Sequence, residues 1–260
     1  MNKRSTICIL LALVLTALAP SAFAAKEGQA VGVVPDAMAQ GSGGDRTLVV
    51  GADISVGERV VTGRAGQVQI IFADQTRLVV GPGSDLLIEA YLMRNSGTAE
   101  RLAINAFAGT FRFISGNSPK SAYQIRTPTA AIAVRGTKFD FIVTPRDTRV
   151  MLYEGALAVC GGNQNCVDLD SRCEVGVVSA SGKAHYQRAN PERAPRSQEF
   201  RYARFQGMLL PDFRVSGAGN CVDTAEVSGE SSGGSNSTDT GGGTRPTSPT
   251  TGPTAPGQTP

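Results

Sequence analysis

Residues 68–78 carry the clearest structural signal in the chain and read Val68-Gln69-Ile70-Ile71-Phe72-Ala73-Asp74-Gln75-Thr76-Arg77-Leu78. Val68, Ile70 and Phe72 alternate with Gln67 and Gln69, which is the two-residue period of a half-buried β-strand. The next three residues, 73–75, interrupt that period as a tight turn, and a second extended run follows them. This stretch therefore predicts a β-hairpin.

Further extended runs follow this hairpin, roughly one every 8 to 12 residues, with turn signals between them. They are Asp85–Leu92, Leu102–Phe107, Thr110–Ser115, Tyr123–Thr127, Lys138–Val143, Arg149–Tyr153 and Ala156–Cys160. No helical periodicity separates these runs, and only residues 196–206 favour a short helix. We therefore expect an all-β protein whose short strands and hairpins form a β-sandwich or a short β-solenoid-like body.

The first 24 residues have the pattern of an export signal. Lys3 and Arg4 precede an apolar run of about 13 residues, which is short for the ~20 that a membrane span needs. Ala22-Phe23-Ala24 then matches the small-x-small pattern of a cleavage site. We expect cleavage after Ala24 and a periplasmic mature chain without a transmembrane segment. Secretion beyond the periplasm and an uncleaved anchor are the alternatives.

The composition predicts three further regions beside the β-domain, which we place at residues 46–160. Residues 25–45 are small and weakly patterned, so we expect a lead-in linker there. Residues 161–216 are expected to form a disulfide-linked basic extension. Residues 217–260 are dominated by Gly, Ser, Thr and Pro and hold no aromatic residue. Such a tail cannot bury enough apolar area to offset its ordering entropy, so it is predicted to be disordered.

The charge balance argues against nucleic acid as a partner. The chain has 25 Lys and Arg against 22 Asp and Glu, and removal of Lys3 and Arg4 leaves 23 basic side chains. That near-neutral balance gives no electrostatic footprint for a polyanion. The chain also holds a single His, so any site that needs two imidazoles is excluded. We expect neither a cofactor nor a metal.

Three stretches, taken in order, resemble the FecR domain family. The first is residues 56–63, the second is the hairpin at 68–78, and the third is Ile125-Arg126-Thr127-Pro128-Thr129-Ala130-Ala131-Ile132-Ala133-Val134-Arg135-Gly136-Thr137-Lys138-Phe139. The third is similar to the signature "TP-x-G…x-RGT-x-F", and Gly109–Phe113 matches a "G-x-F-x-F" element before it. Gln75 departs from the family by replacing the usual turn glycine.

The resemblance covers roughly residues 46–160 and implies a periplasmic all-β module that senses or docks something. The best-known members of the family are iron-transport regulators, with a cytoplasmic anti-sigma segment and a transmembrane helix before the domain. Here only the predicted export signal precedes the domain. We therefore do not carry over a regulatory activity that works through a cytoplasmic arm.

The acidic residues and the histidine give little indication of catalysis. Asp74, Asp85 and Glu89 lie nearest the hairpin, and a glycosidase site would need two carboxylates about 5 to 10 Å apart in a cleft. Asp74 is better explained as a turn residue, because its side chain can bind the turn backbone. His185 lies in a polar stretch without a Gly-x-Ser-x-Gly elbow, which favours a surface position. We predict that the protein is not an enzyme; an envelope hydrolase with an unrecognised carboxylate pair is the less favoured alternative.

The Arg135-Gly136-Thr137 motif has both a structural and a functional interpretation. Glycine suits a tight corner between strands, which favours a bend with a satisfied arginine. Arg135 and Lys138 flank this corner, and we retain both as candidate contacts for a ligand or partner.

Four cysteines remain after the predicted export: Cys160, Cys166, Cys173 and Cys221. An even number in an oxidising compartment predicts two disulfides, with three possible pairings. A hairpin loop at residues 161–165 would place Cys160 opposite Cys166 and leave Cys173 for Cys221. Zinc is the rival interpretation, but the gaps of five and six residues do not match the usual two-to-four-residue clip.

The extension is the basic part of the chain. Between Lys183 and Arg214, seven basic side chains stand against three acidic ones, with aromatic residues interleaved. One interpretation is that the aromatics pack on the β-domain while the arginine heads reach into water. The other is a docking face for an anionic partner, such as an envelope protein, peptidoglycan or a lipid head group. The candidate contacts are Arg188, Arg193, Arg196, Arg201 and Arg204.

These observations predict a non-catalytic, periplasmic, FecR-like module that binds or senses a ligand or an envelope partner. A secreted structural or interaction protein, with the tail as a spacer, is the alternative.

Overall fold

The computed structural model describes residues 27–162, 165–188 and 199–222. All of them belong to one compact unit that ends at Asp223. The predicted export signal and the predicted tail beyond Val222 lie outside the described residues.

Strands make up most of the described chain, which confirms the all-β prediction. One helical turn, α1, spans Arg201–Arg204 within the predicted 196–206 helix, and residues 196–198 lie outside the described residues. Within the described ranges, 3-10 turns occur at Lys120–Ala122, Pro211–Phe213 and Ala218–Cys221. The strands are β1 (Gly28–Val34), β2 (Ala37–Gln40), β3 (Arg46–Thr47), β4 (Asp53–Ile54), β5 (Arg59–Thr62), β6 (Gln67–Phe72), β7 (Arg77–Val80), β8 (Asp85–Asn95), β9 (Thr98–Ile114), β10 (Tyr123–Arg126), β11 (Ala131–Val134), β12 (Lys138–Val143), β13 (Asp147–Glu154), β14 (Leu157–Cys160), β15 (Cys166–Leu169), β16 (Glu174–Ser179) and β17 (Ala184–Arg188).

The strands form two sheets that share one strand and contribute side chains to one buried cluster between them. Sheet A has the order β4-β1-β6-β7-β9-β12-β13-β16-β17. Sheet B has the order β3-β2-β5-β8-β9-β10-β11-β14-β15. Strand β9 belongs to both sheets and crosses between them near Gly109. That glycine has a φ of 114°, and a Cβ there would lie 2.0 Å from the Ser84 hydroxyl oxygen, so no other residue fits.

The main core lies between the two sheets and is rich in phenylalanine. The rings of Phe111 and Phe141 stack with centroids 4.7 Å apart, and those of Phe113 and Phe139 lie 5.4 Å apart. All four side chains are fully buried, as the alternation in their strands predicts. Each buried aromatic side chain contributes about 2 to 3 kcal/mol of transfer free energy, so this cluster is a major source of stability.

The region expected to be a lead-in linker contains structure. Strands β1 and β2 occupy most of residues 28–40, and Ala30, Ala37 and Ala39 are buried in the core. Strand β1 pairs with β6 over six residue pairs. The difference arises because small side chains give a weak hydrophobic alternation even when they fill a tightly packed site.

The extension continues both sheets and then covers one of them. The hairpins β14–β15 and β16–β17 add strands to sheets B and A. Residues 199–222, which we call the cover segment, then lie on the outer face of sheet A. Their buried side chains are Phe200, Tyr202, Ala203, Leu209, Phe213, Val215, Ala218, Cys221 and Val222. The packing of the aromatics on the β-domain agrees with the first interpretation of the basic extension, and it reaches into residues 217–222 that were assigned to the tail.

Two disulfides are present, in the pairing that the predicted hairpin requires. Cys160 and Cys166 are directly opposed on β14 and β15, with an Sγ–Sγ distance of 2.10 Å. Cys173 and Cys221 are joined at 2.01 Å, which fastens the end of the cover segment to the loop before β16.

Candidate functional site

A fully buried arginine holds the cover segment on sheet A. Arg112 lies on the outer face of β9, and its Nε and Nη2 donate to the two carboxylate oxygens of Asp140 at 2.6 and 3.0 Å. Nη2 also donates to the Tyr202 carbonyl at 2.9 Å, and Nη1 donates to Gln206 Oε1 and the Phe213 carbonyl at 2.5 and 3.3 Å. All five N–H groups of the guanidinium are therefore used, three of them by the cover segment.

A tyrosine completes this network from the sheet side. The Tyr153 hydroxyl donates to Asp140 Oδ2 at 2.7 Å, and its ring lies 5.2 Å from the Arg112 guanidinium carbon. Burial raises the pKa of Tyr153 well above its ordinary value, and the Asp140 charge raises it further. The hydroxyl thus remains a donor at all physiological pH values.

Two glutamines of β6 also bind the cover segment. Gln69 accepts from the Leu210 N–H at 2.8 Å, and Gln67 accepts from the Tyr202 hydroxyl at 2.9 Å. These side chains occupy the polar positions of the hairpin motif, which a sequence pattern assigns to solvent. They face the cover segment instead, so the polar face of β6 is an internal interface.

The outer surface of the cover segment contains an open depression of about 540 Å³, which we call the cover groove. Arg201 and Arg204 line it together with Phe205, Gln206, Gly207 and Met208. Phe205 is 60% exposed, Met208 is 54% exposed, and the neighbouring Leu210 is 40% exposed. Large apolar side chains that are grouped and exposed in this way are typical of an interaction surface.

The cover groove is cationic as well as apolar. Within the described part of the chain, neither Arg201 nor Arg204 has an acidic side chain within ion-pair distance. Glu199, the acidic residue closest to them in sequence, forms an ion pair with Arg149. The Arg204 guanidinium lies 5.7 Å from the Phe205 ring centroid, which places charge directly beside an exposed aromatic face.

The other basic residues singled out from the sequence are not part of this groove. Arg135 and Lys138 flank the corner between β11 and β12, where Gly136 has a φ of 76°. Arg135 lies 4.0 Å from Asp168, and Lys138 lies 2.7 Å from Glu154. The side chain of Arg188, and all of Arg193 and Arg196, lie outside the described residues. The groove also includes Met208, and the exposed Leu210 follows it two positions later in the chain; the charge pattern indicated neither residue.

The carboxylates near the hairpin are engaged in structural contacts. Asp74 is fully buried and accepts hydrogen bonds from the Ser118 and Thr76 hydroxyls at 2.5 and 2.8 Å and from the Tyr123 hydroxyl at 3.2 Å. Of the other two candidates, Asp85 pairs with Arg59, and Glu89 lies 3.8 Å from Arg126. His185 is exposed on β17. The geometry therefore gives Asp74 the role of organising the turn.

Two kinds of feature are absent from the described residues. Among them, no group of three or more His, Cys, Asp or Glu side chains is placed to hold a metal ion. In the same part of the chain, no helix is long and apolar enough to cross a membrane.

Glu174, next to the Cys173 disulfide, is expected to make stability depend on pH. Burial favours the neutral acid, but hydrogen bonds from the Tyr186 hydroxyl and from the Ser171 and Asp170 N–H groups outweigh it and lower the pKa of Glu174. A lowered pKa stabilises the fold above the unfolded pKa, and this contribution is lost as the pH falls through the folded value. We expect Glu174→Gln to cost about 1 kcal/mol at pH 7 and progressively less as the pH falls below the ordinary titration range of glutamate, measured by urea unfolding across that range. A cost that does not change with pH would contradict this assignment.

Comparison with known proteins agrees with the motifs. The family described as FecR protein matches residues 58–158. Two crystal structures of a candidate anti-sigma factor from Parabacteroides distasonis ATCC 8503, at 1.65 and 2.50 Å resolution, are similar to this chain at 15% sequence identity with TM-scores of 0.40 and 0.41. Each match covers 50% of this chain and 59% of the other, so the chain spans less than two thirds of that protein's length. No curated protein matches the chain. The family match confirms the resemblance that the three motifs indicated, since residues 58–158 of this chain match the FecR domain family.

Proposed function

We propose that the protein is a non-catalytic FecR-domain sensing module of the cell envelope that docks a protein partner in the cover groove. The observation that carries this proposal is a pair of arginines, Arg201 and Arg204, that have no acidic partner among the described residues and lie beside the exposed Phe205 and Met208. The segment that presents them is held by the Arg112 network and by a disulfide. A preorganised surface of this kind loses little conformational entropy when a partner binds.

The chemistry of the groove favours an acidic protein segment that also carries apolar side chains. Arginine pairs with carboxylates through two parallel hydrogen bonds, and aromatic and arginine side chains are the commonest energetic centres of interfaces. An anionic glycan would satisfy Arg201 and Arg204 but would leave Phe205 and Met208 without matching apolar area. A protein partner satisfies both halves of the surface.

Two further observations support the envelope location and the absence of catalysis. Disulfides persist in oxidising compartments, and this chain holds two. Two fully buried carboxylates, Asp74 and Asp140, are engaged by hydrogen-bond donors from the protein itself. Neither is available as a general acid or base for an external substrate.

Photocrosslinking in the native host tests the docking surface. Met208→p-benzoylphenylalanine should crosslink to a protein segment that contains acidic and apolar residues, identified by mass spectrometry of the crosslinked peptide. The same group at Val49, which is also exposed but lies on the loop between β3 and β4, serves as the matched control. A synthetic copy of the crosslinked peptide is then tested for binding to the purified protein. We expect it to bind, and we expect Arg201→Glu/Arg204→Glu to weaken that binding at least about tenfold.

Exchanging the charges between the peptide and the groove tests whether the arginines pair with acidic residues of the partner. Replacement of the acidic residues in the peptide by lysine should restore binding to the Arg201→Glu/Arg204→Glu variant. Crosslinks only to glycan or lipid, equal crosslinking from position 49, or unchanged affinity of the charge-reversed variant would each overturn the proposal.

A further inference from the structure

A second opening of about 380 Å³ lies on sheet A, at the end formed by β1 and β6. Its apolar lining includes Val31 and Ile71, which also pack against the buried cluster that contains Leu209 and Phe213. Its polar lining is Glu27, Gln29 and Gln75. None of its lining residues belongs to the cover groove, and its volume lies in the range of roughly 300–1,000 Å³ that is usual for small-molecule sites.

The polar side of this cavity has an unused acceptor. The Oε2 atom of Glu27 is buried, yet it has no hydrogen-bond partner among the described residues. Arg77, which lies opposite Ile71 on β7, donates to the Gln75 carbonyl at 3.2 Å and makes no ion pair with Glu27. A carboxylate oxygen that is removed from water without a donor destabilises the folded protein, and a ligand that supplies the donor recovers that loss.

Gln75 is a second reason to assign a function to this cavity. Its φ of 67° lies in the left-handed region, where the FecR hairpin normally has glycine. The turn itself does not need a side chain there, because Asp74 is already hydrogen-bonded on all sides and the Gln75 N–H donates to the Phe72 carbonyl at 2.9 Å. Gln75 is one of the residues that line the cavity. A strained residue that lines a cavity is a reason to assign a function to that cavity.

From the unused Glu27 acceptor, the Gln75 amide and the apolar lining, we propose that this cavity binds an alkylammonium group. The ammonium donates to Glu27 Oε2, the Gln75 amide oxygen accepts a second N–H, and the short alkyl chain packs on Val31 and Ile71. An anion is repelled by the Glu27 carboxylate, and an alcohol does not compensate its charge. A free small amine and the lysine side chain of a peptide both carry this chemistry.

An NMR titration of the full mature chain tests the assignment. The probes are n-butylamine, n-butanol, butyrate and the end-blocked peptide Gly-Gly-Lys-Gly-Gly, each followed by amide chemical shifts at pH 7. We expect n-butylamine to shift amides within residues 28–31 and 71–75, and butanol and butyrate to leave them unchanged. Glu27→Gln should weaken butylamine binding at least tenfold, whereas Glu100→Gln, at an exposed position on β9, should not.

A second variant separates binding from folding. Gln75→Gly relieves the left-handed strain, so the protein stays folded while butylamine binding weakens several-fold. If the lysine peptide and butylamine each bind, the ligand is identified as a peptide side chain. If butylamine binds and the lysine peptide does not, the ligand is identified as a free amine. The proposal is overturned if no shifts occur at the cavity, if butanol binds as well as butylamine, or if Glu27→Gln binds normally. These outcomes do not depend on the cover groove, so they leave the proposed docking function untouched.

Discussion

Arg112→Met is expected to lower the free energy of unfolding by about 3 to 5 kcal/mol, the usual cost of removing one partner of a buried ion pair. Methionine fills much of the same volume but leaves the Asp140 carboxylate buried with only the Tyr153 hydroxyl as donor. It also leaves the carbonyls of Tyr202 and Phe213 without their donor. Urea unfolding of the variant and the parent protein at pH 7 measures the difference.

Two further variants show whether the ion-pair network causes this loss. Arg94→Met removes an exposed arginine at the β8–β9 hairpin and should change stability by no more than about 0.5 kcal/mol. Arg112→Met/Asp140→Leu removes both charges and should recover part of the loss, because no buried charge is left unpaired. A cost below about 1 kcal/mol for Arg112→Met would mean that the network does not hold the cover segment.

The strand pattern was predictable because local residues determine it. Within β9 and β12, Phe111, Phe113, Phe139 and Phe141 alternate with polar or smaller residues, and every one of these rings faces the core. The turn at residues 73–75 is equally local, since Asp74 binds the hydroxyl and the N–H of Thr76 two residues away. Short-range patterns of this kind give the all-β class and the hairpins without any knowledge of the partners across the sheet.

What the polar residues between these apolar positions contact was not predictable. Arg112 stands between Phe111 and Phe113, so the alternation assigns it to the face opposite the core, which in an isolated sandwich is solvent. In the structure that face is covered, and the contacts that cover it join Arg112 to residues 90 to 101 positions later in the chain. No local pattern encodes a contact at that separation. The same argument applies to Gln67 and Gln69.

The candidate site was predictable in part. The charge count identified Arg201 and Arg204, because seven basic residues against three acidic ones is unusual in a chain that is nearly neutral. Met208 and Leu210 were not identified, since the run Met208-Leu209-Leu210 reads as uniformly apolar. Only the packing shows that Leu209 is buried while its two neighbours are exposed. The positive charge of the cover groove could thus be predicted from the sequence, but its exposed apolar side chains could not.

The two disulfides are expected to contribute unequally to stability. Cys160 and Cys166 are six positions apart, whereas Cys173 and Cys221 are 48 apart. In the chain-entropy model, closing loops of these lengths stabilises the fold by about 2 and about 4 kcal/mol. Cys173→Ser/Cys221→Ser should therefore lower the free energy of unfolding more than Cys160→Ser/Cys166→Ser, and urea unfolding of the two double variants measures the difference.

The location of the effect tests the architecture more sharply than its size. Loss of the Cys173–Cys221 bond removes the covalent attachment of the cover segment but leaves the Arg112 network in place. Amide hydrogens within residues 199–222 should then exchange faster, while the strands of the phenylalanine core stay protected. Adding Arg112→Met to that variant should free the cover segment almost completely. The combined loss in free energy of unfolding should differ from the sum of the two separate losses, because both changes act on the same interface. Uniformly faster exchange across both sheets would mean that the cover segment and the sandwich unfold as one unit, and the cover groove would then have no independent attachment.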